Sequence, residues 1–230
     1  MPIRKVDVSE ADKKSAQVFF DALFGIYDLK EARVLDAFAR NGQLTVNNIA
    51  KRTVGSLECW ELQEEHREDL RQYTGLVYIG DSYKFLEGAI EKGRQYGLIV
   101  IDTPQGLHKD SKGVIHAEHF DFFRQSLQLI AKSAIVVLYV NKSPYDKNVE
   151  GSQGYDEYPE YDFKEWMKKR IEFYGVEGVS ESGALRGYQQ ALMDSCTGLS
   201  IKSVLQVPCF SDVPGKDSYS YRLALELVRL

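Results

Sequence analysis

Four apolar runs in the sequence each stop at an acid: the first at Asp36, the second at Glu61, the third at Asp81 and the fourth at Asp102. Their separations of 25, 20 and 21 residues each match one strand-helix repeat of a doubly wound sheet. In such a sheet ligands lie beyond the carboxyl ends of the strands, so this spacing places four carboxylates along one rim. Carboxylates suit a ligand surface made of cations and hydroxyls, and an acid ending the second strand can accept from both hydroxyls of a ribose. A pyrophosphate wants a glycine-rich turn with open backbone N–H groups, and "VLDAFARNGQLT" offers only Gly42. The pattern points to a nucleoside without phosphate. Asp36, Asp81 or Asp102 individually would also serve as the cap of the following helix, but four runs in succession stopping at acids favour a site.

The elements that must hold these acids are legible as aliphatic and β-branched runs: "ARVLDAF" (32–38), "GSLECWEL" (55–62), "LVYIGD" (76–81), "LIVIDT" (98–103) and "AIVVLYV" (134–140). Polar segments with helical periodicity separate them, among them "LTVNNIAKRT", "QEEHREDLRQY", "YKFLEGAIEKGRQY" and "AEHFDFFRQSLQLIAKS". Strands alternating with helices predict a parallel sheet with right-handed crossovers. "KKSAQVFFDALFG" reads as a helix packed on the sheet ahead of the first strand. After residue 141 the pattern changes to a loop rich in Gly, Pro, Asn, Asp and Tyr, followed by helix candidates "FKEWMKKRIEFYG" and "ALRGYQQALMDSC". "SIKSVLQVPCF" and "YSYRLALELVRL" close the chain as an antiparallel pair around the turn-rich "SDVPGKD". The expectation is an α/β fold, a doubly wound, seven-stranded, mainly parallel sheet with an antiparallel last strand and helices on both faces. It forms one domain over residues 1–230, with an inserted loop and helical segment at about 142–200 between strands five and six.

Composition agrees with one globular domain: 230 residues, 43% of them hydrophobic. The net charge of −5 gives no whole-molecule attraction for nucleic acid or an anionic membrane. Cys59, Cys196 and Cys209 lack metal-ligand spacing and read as reduced, small apolar residues of a cytoplasmic protein. No signal-peptide core and no membrane-spanning run is present in the sequence.

These motifs resemble those of the class I, Rossmann-like S-adenosylmethionine-dependent methyltransferases over about residues 15–140. "VLDAFARNG" is similar to the family's first motif, "CWELQ" to its acidic second-strand motif, "GDSYKFL" to its third-strand motif and "IDTPQG" to its fourth-strand substrate motif. The terminal strands resemble its sixth and seventh. The resemblance implies S-adenosyl-L-methionine as cofactor and makes Asp36, Phe38, Arg40, Asn41 and Gly42 the turn receiving its methionine part. It makes Glu61 the ribose acceptor with Leu62 beside the adenine, and has Asp81 accept from the adenine amino group with Ser82 adding a contact. Asp102, Pro104 and Gln105 become the catalytic set at the junction of cofactor and substrate. Two departures stand out. Arg40 occupies a position where the family commonly has Gly, and its guanidinium would clash with the cofactor, pair with its carboxylate or turn outward. Thr103 and Gln105 stand where amine-methylating members have a proline and an aromatic, so a flipped base would need another stacking partner such as Tyr83 or Phe85.

The reading is a methyltransferase acting on an amine of a DNA or RNA base, with a small-molecule acceptor left open. The alternative is a catalytically silent fold serving as a binding or scaffold subunit, for which Arg40 and Gln105 speak. A nicotinamide-dependent reductase would need the glycine-rich turn that is lacking. "HAEHFD" offers His116, Glu118, His119 and Asp121; a helical solvated face is favoured over a metal site, and no metal is expected. The aromatic insertion "YDEYPEYDFKEWMKKRIEFY", with Lys168, Lys169 and Arg170, reads as a folded lid in preference to a single-strand-binding surface.

Overall fold

The computed structural model describes residues 9–103, 107–117, 119–141, 163–175, 181–209 and 220–230. Its centre is a seven-stranded sheet of β1 (Arg33–Asp36), β2 (Ser56–Glu61), β3 (Leu76–Ile79), β4 (Leu98–Ile101), β7 (Ser133–Asn141), β8 (Leu199–Pro208) and β9 (Ser220–Arg229). The strand order is β3-β2-β1-β4-β7-β9-β8. β1 pairs in parallel with both β2 and β4, so the winding direction reverses between β1 and β4, where a doubly wound sheet opens its ligand crevice. β9 inserts antiparallel between β7 and β8, as expected of the terminal pair.

Strand position explains the apolar runs. β4 lies at the centre and all four of its residues are buried, whereas β3 lies at an edge and alternates between exposed and half-buried. Successive residues face opposite layers. Leu35, Ile99, Ile101, Leu138 and Leu223 join one core with α4 (Ser82–Glu91), α5 (Phe120–Ser126), α6 (Phe163–Tyr174) and α7 (Glu181–Asp194). Val34, Cys59, Val100, Val137 and Ala224 join the other with α1 (Glu10–Ile26), α2 (Thr45–Ala50) and α3 (Arg67–Arg71). Ser9 caps α1 by accepting from Asp12 N at 3.1 Å, and Phe19, Phe20 and Leu23 form its buried stripe.

One element was not anticipated. Between β4 and α5 the chain forms an antiparallel hairpin of β5 (Leu107–Lys109) and β6 (Ile115–Ala117), in a stretch whose three-residue strands carry no readable alternation. The helix expected to begin at 117 starts only at Phe120, because Ile115, His116 and Ala117 are taken by the hairpin.

Candidate functional site

β1 delivers Asp36 to the rim, 1% exposed. Its Oδ1 accepts weakly from Phe38 N at 3.4 Å, and its Oδ2 has no hydrogen-bond partner among the described residues. Burial, reinforced by the nearby carboxylates of Asp102 and Glu61, pushes its pKa up to about 8 against the opposing influence of Phe38 N–H and Arg40. Asp102 follows β4. Burial raises its pKa too, while Arg40 and Arg222 pull it down. Asp36, Glu61 and Asp102 therefore form one electrostatic group across the carboxyl ends of β1, β2 and β4.

The turn after β1 is folded around Glu61. Glu61 Oε2 accepts from Arg40 N at 2.7 Å and Oε1 from Gln63 N at 2.8 Å, which leaves each oxygen a further lone pair. Arg40 has φ 50°, so a side-chain-bearing residue holds the left-handed conformation that glycine adopts most easily. The residue is exposed, and its charge acts on both Asp36 and Asp102. Asn41 Oδ1 accepts from Gln43 N at 3.2 Å, locking the turn. Gly42, at φ 75°, is a true requirement, since a Cβ there would lie 3.0 Å from Leu70 Cδ2 and 3.2 Å from Val46 Cβ. Phe38 is half-buried with its ring edge-to-face on Phe122 at 4.9 Å, so it packs toward α5. Leu62, beside Glu61, is 69% exposed, an apolar surface at the mouth of the rim.

Asp81 stands apart from this group. It caps α4 through Tyr83 N at 2.9 Å, and its Oδ2 accepts from Ser111 N at 2.7 Å, which ties the β5–β6 hairpin to the end of β3. Burial works against its charge, but the hydrogen bonds from Ser111 and Tyr83 outweigh it and hold the pKa below the usual carboxylate value. Ser82 Oγ donates to Ala37 O at 2.6 Å and so braces the turn after β1. Thr103 is 2% exposed, with no partner for Oγ1 among the described residues. Pro104 and Gln105 lie outside the described residues.

The "HAEHFD" segment is not the solvated helical face expected of it. His116 and His119 are 4% and 1% exposed, because one sits in β6 and the other at the buried start of α5. His116 shares hydrogen bonds with Asp121 at 2.9 Å and Asp110 at 3.0 Å and stacks on Tyr83, 3.9 Å between centroids. His119 Nε2 meets Tyr188 Oη at 2.6 Å, and burial, with Arg170 nearby, drives its pKa down to about 3. The two imidazoles thus serve different clusters; Glu118 lies outside the described residues. Arg170 is also buried, against the rings of Trp166 and Tyr174, and Phe173 stacks on Phe120 at 4.2 Å. α6 is accordingly a packed cover on α5. Residues 142–162, most of the tyrosine-rich insertion, lie outside the described residues.

Sequence reasoning missed Arg222 and Tyr139. By alternation Arg222 falls on the same face of the strand as Glu226 and reads as solvent-facing, so its burial follows only from α1 and β7, which the sequence does not place beside it. Arg222 is 1% exposed and lies on the α1 side of the sheet, the same side as Asp36 and Asp102.

No protein-family model and no curated protein sequence matches the chain. Solved structures do. SMU.776 in complex with S-adenosylhomocysteine is 11% identical with a TM-score of 0.59, over 96% of this chain and 50% of that one, so this chain spans half its length. TYW2 of M. jannaschii in complex with S-adenosylmethionine is 10% identical with a TM-score of 0.54, over 98% of this chain and 80% of that one. The magnesium protoporphyrin IX methyltransferase of Synechocystis PCC 6803, with S-adenosylhomocysteine bound, is 14% identical with a TM-score of 0.53, over 100% of this chain and 89% of that one. The fold is that of the class I methyltransferases.

Proposed function

We propose that the chain is a cytoplasmic S-adenosylmethionine-dependent methyltransferase acting on an amine of a nucleic-acid base. The observation that carries this reading is the convergence of Asp36, Glu61 and Asp102 at the β1/β4 switch point, beside the left-handed turn at Arg40 and Gly42. The residues fit the cofactor. Asp36 Oδ2 is a buried acceptor without a donor among the described residues, suited to an ammonium group, and the remaining lone pairs of Glu61 suit a ribose diol. When bound, the cofactor supplies an activated methyl group on a sulfonium. Asp102 would accept one hydrogen of the acceptor amine and leave its lone pair aimed along the line of transfer. Holding the reacting pair close and aligned is where most of the rate enhancement would arise. The Asp102-x-Pro104 arrangement supports an exocyclic base amine as acceptor, and TYW2 and the porphyrin methyltransferase support the cofactor by analogy of fold.

A second reading, a catalytically silent scaffold, has Arg40 in its favour, because its guanidinium already supplies positive charge to Asp36 and Asp102. Calorimetric titration with S-adenosylhomocysteine separates the two. Micromolar binding that Glu61→Ala weakens at least about 30-fold, the loss of a bidentate acceptor worth about 2 kcal/mol, is the expected result. Absence of heat in the wild-type chain would sink the enzyme reading. Transfer of a labelled methyl group to DNA or RNA then tests the acceptor.

A further inference from the structure

Arg222 projects from β9 toward α1, opposite Tyr139 of β7. One strand further, Ile101 of β4 is level with Leu138, so Asp102 continues the row occupied by Tyr139 and Arg222. The guanidinium is fixed from three sides. Nε donates to Tyr139 Oη at 2.5 Å, and Nη1 donates to Ser15 Oγ at 2.6 Å and to Cys209 Sγ at 3.4 Å. Its carbon lies 4.6 Å from the centroid of the Tyr139 ring, and burial pushes that phenol's pKa upward, which keeps it neutral. Tyrosine, serine and cysteine are thus its hydrogen-bond partners, and no carboxylate hydrogen-bonds to it among the described residues. Nη2 likewise has no acceptor among them. Asp102 acts on it only through its field, which it shares with Arg40.

A buried guanidinium held flat by neutral groups and lacking a contacting counter-ion is costly for a fold to keep. The same arrangement is what a binding site for an anion requires, with a preset plane and a free pair of N–H groups. We propose that Arg222 is an oxyanion-binding residue, whose Nη2 edge takes one carboxylate or phosphate oxygen of a ligand docked at the β4/β7/β9 side of the rim, next to Asp102. Two sources share this chemistry, a phosphate or carboxylate of the methyl acceptor and the amino-acid carboxylate of the cofactor. The inference goes beyond the methyl-transfer reading, and the site can be tested without it.

The test is a titration of the full chain followed by the guanidinium ¹⁵N–¹H resonance of Arg222, assigned by its loss in Arg222→Lys. Inorganic phosphate and acetate are added to the free chain and to the chain with S-adenosylhomocysteine, with chloride at equal ionic strength as reference. A saturable shift of the Arg222 signal that chloride does not reproduce is expected. If S-adenosylhomocysteine alone produces the shift and blocks acetate, whereas 5′-methylthioadenosine, which lacks the carboxylate, does neither, the oxyanion is that of the cofactor. If acetate or phosphate still shifts the signal in the loaded chain, the oxyanion belongs to the acceptor. A signal unmoved by phosphate, acetate and S-adenosylhomocysteine alike would overturn the proposal, even where calorimetry records cofactor binding. Conversely, a chain that gives no heat with the cofactor but a phosphate-dependent Arg222 shift loses the methyl-transfer reading and keeps this one. Tyr139→Phe, which removes one fixing bond and leaves the guanidinium in place, is expected to weaken the phosphate response several-fold without abolishing it.

Discussion

Asp36 makes the folded chain less stable as pH rises, and the size of the effect follows from its surroundings. The carboxyl titrates at 3.8 when unperturbed and at about 8 in the fold, with burial as the main cause and Asp102 and Glu61 adding to it. Because the folded pKa is the higher one, the folded chain holds a proton that the unfolded chain has lost throughout this window. The stability that Asp36 contributes is fully present below about pH 4 and is lost as pH climbs toward 8. At ~1.36 kcal/mol per unit, ionisation linkage costs about 2 kcal/mol at pH 5 and about 5 kcal/mol at pH 7.5. Asp36→Asn removes the titration at nearly constant shape. Its amide brings an unpaired donor to the place of Oδ2, a cost of about 1–3 kcal/mol that does not depend on pH. The difference between variant and wild type therefore grows by about 3 kcal/mol from pH 5 to pH 7.5. In a chain of 230 residues that corresponds to a gap in Tm widening by roughly 6–12 °C in favour of Asp36→Asn.

Differential scanning fluorimetry of both proteins at the two pH values reads this directly. A Tm gap that stays constant within about 2 °C would refute the reasoning, since it would mean that Asp36 ionises in the fold as easily as in water. The same titration links to ligand binding. An ammonium group placed before Asp36 returns it to the carboxylate form, so binding of S-adenosylhomocysteine near pH 7 should release up to about one proton. Calorimetry in buffers of different ionisation enthalpy measures that release, and Asp36→Asn should eliminate it.

Arg40→Gly relieves a left-handed side-chain-bearing residue, a gain of about 1 kcal/mol that the greater freedom of glycine in the unfolded chain largely offsets, so Tm stays nearly level. Loss of the guanidinium should nevertheless move the Asp36 titration above about 8, readable by ¹³C carboxyl NMR; an unmoved midpoint would show that Arg40 does not act on the site. Glu58→Ala should cost about 3–5 kcal/mol in urea unfolding, because buried Glu58 pairs with Arg33 and Arg94, each at 2.8 Å, and accepts from Trp60 Nε1 at 2.9 Å. A loss below about 1 kcal/mol would mean that the two arginines recover their solvation fully on release.

The fold was legible where burial is set by position in the sheet. β4 is "LIVI" because a central strand is covered on both faces, and the acids that end β1 and β2 and follow β3 and β4 mark where that cover stops. The hairpin at 107–117 was not legible, because its strands are three residues long and it is held by Asp81 and Tyr83, which come from elsewhere in the chain. The same limit applied to the acids themselves. Spacing placed four at one rim, but only their neighbours could separate Asp81, whose two oxygens cap a helix and anchor a hairpin, from Asp36, which is left with an unpaired oxygen and a raised pKa. Arg40 illustrates the distinction most sharply. Read as a letter it breaks the glycine pattern of the first motif, yet its backbone keeps the left-handed turn and its amide holds Glu61 in place. The backbone at this position thus adopts a conformation that glycine favours while the side chain carries a charge, and that charge lowers the pKa values of Asp36 and Asp102. In physical terms the arginine leaves the turn in place and changes the electrostatics of the acids beside it.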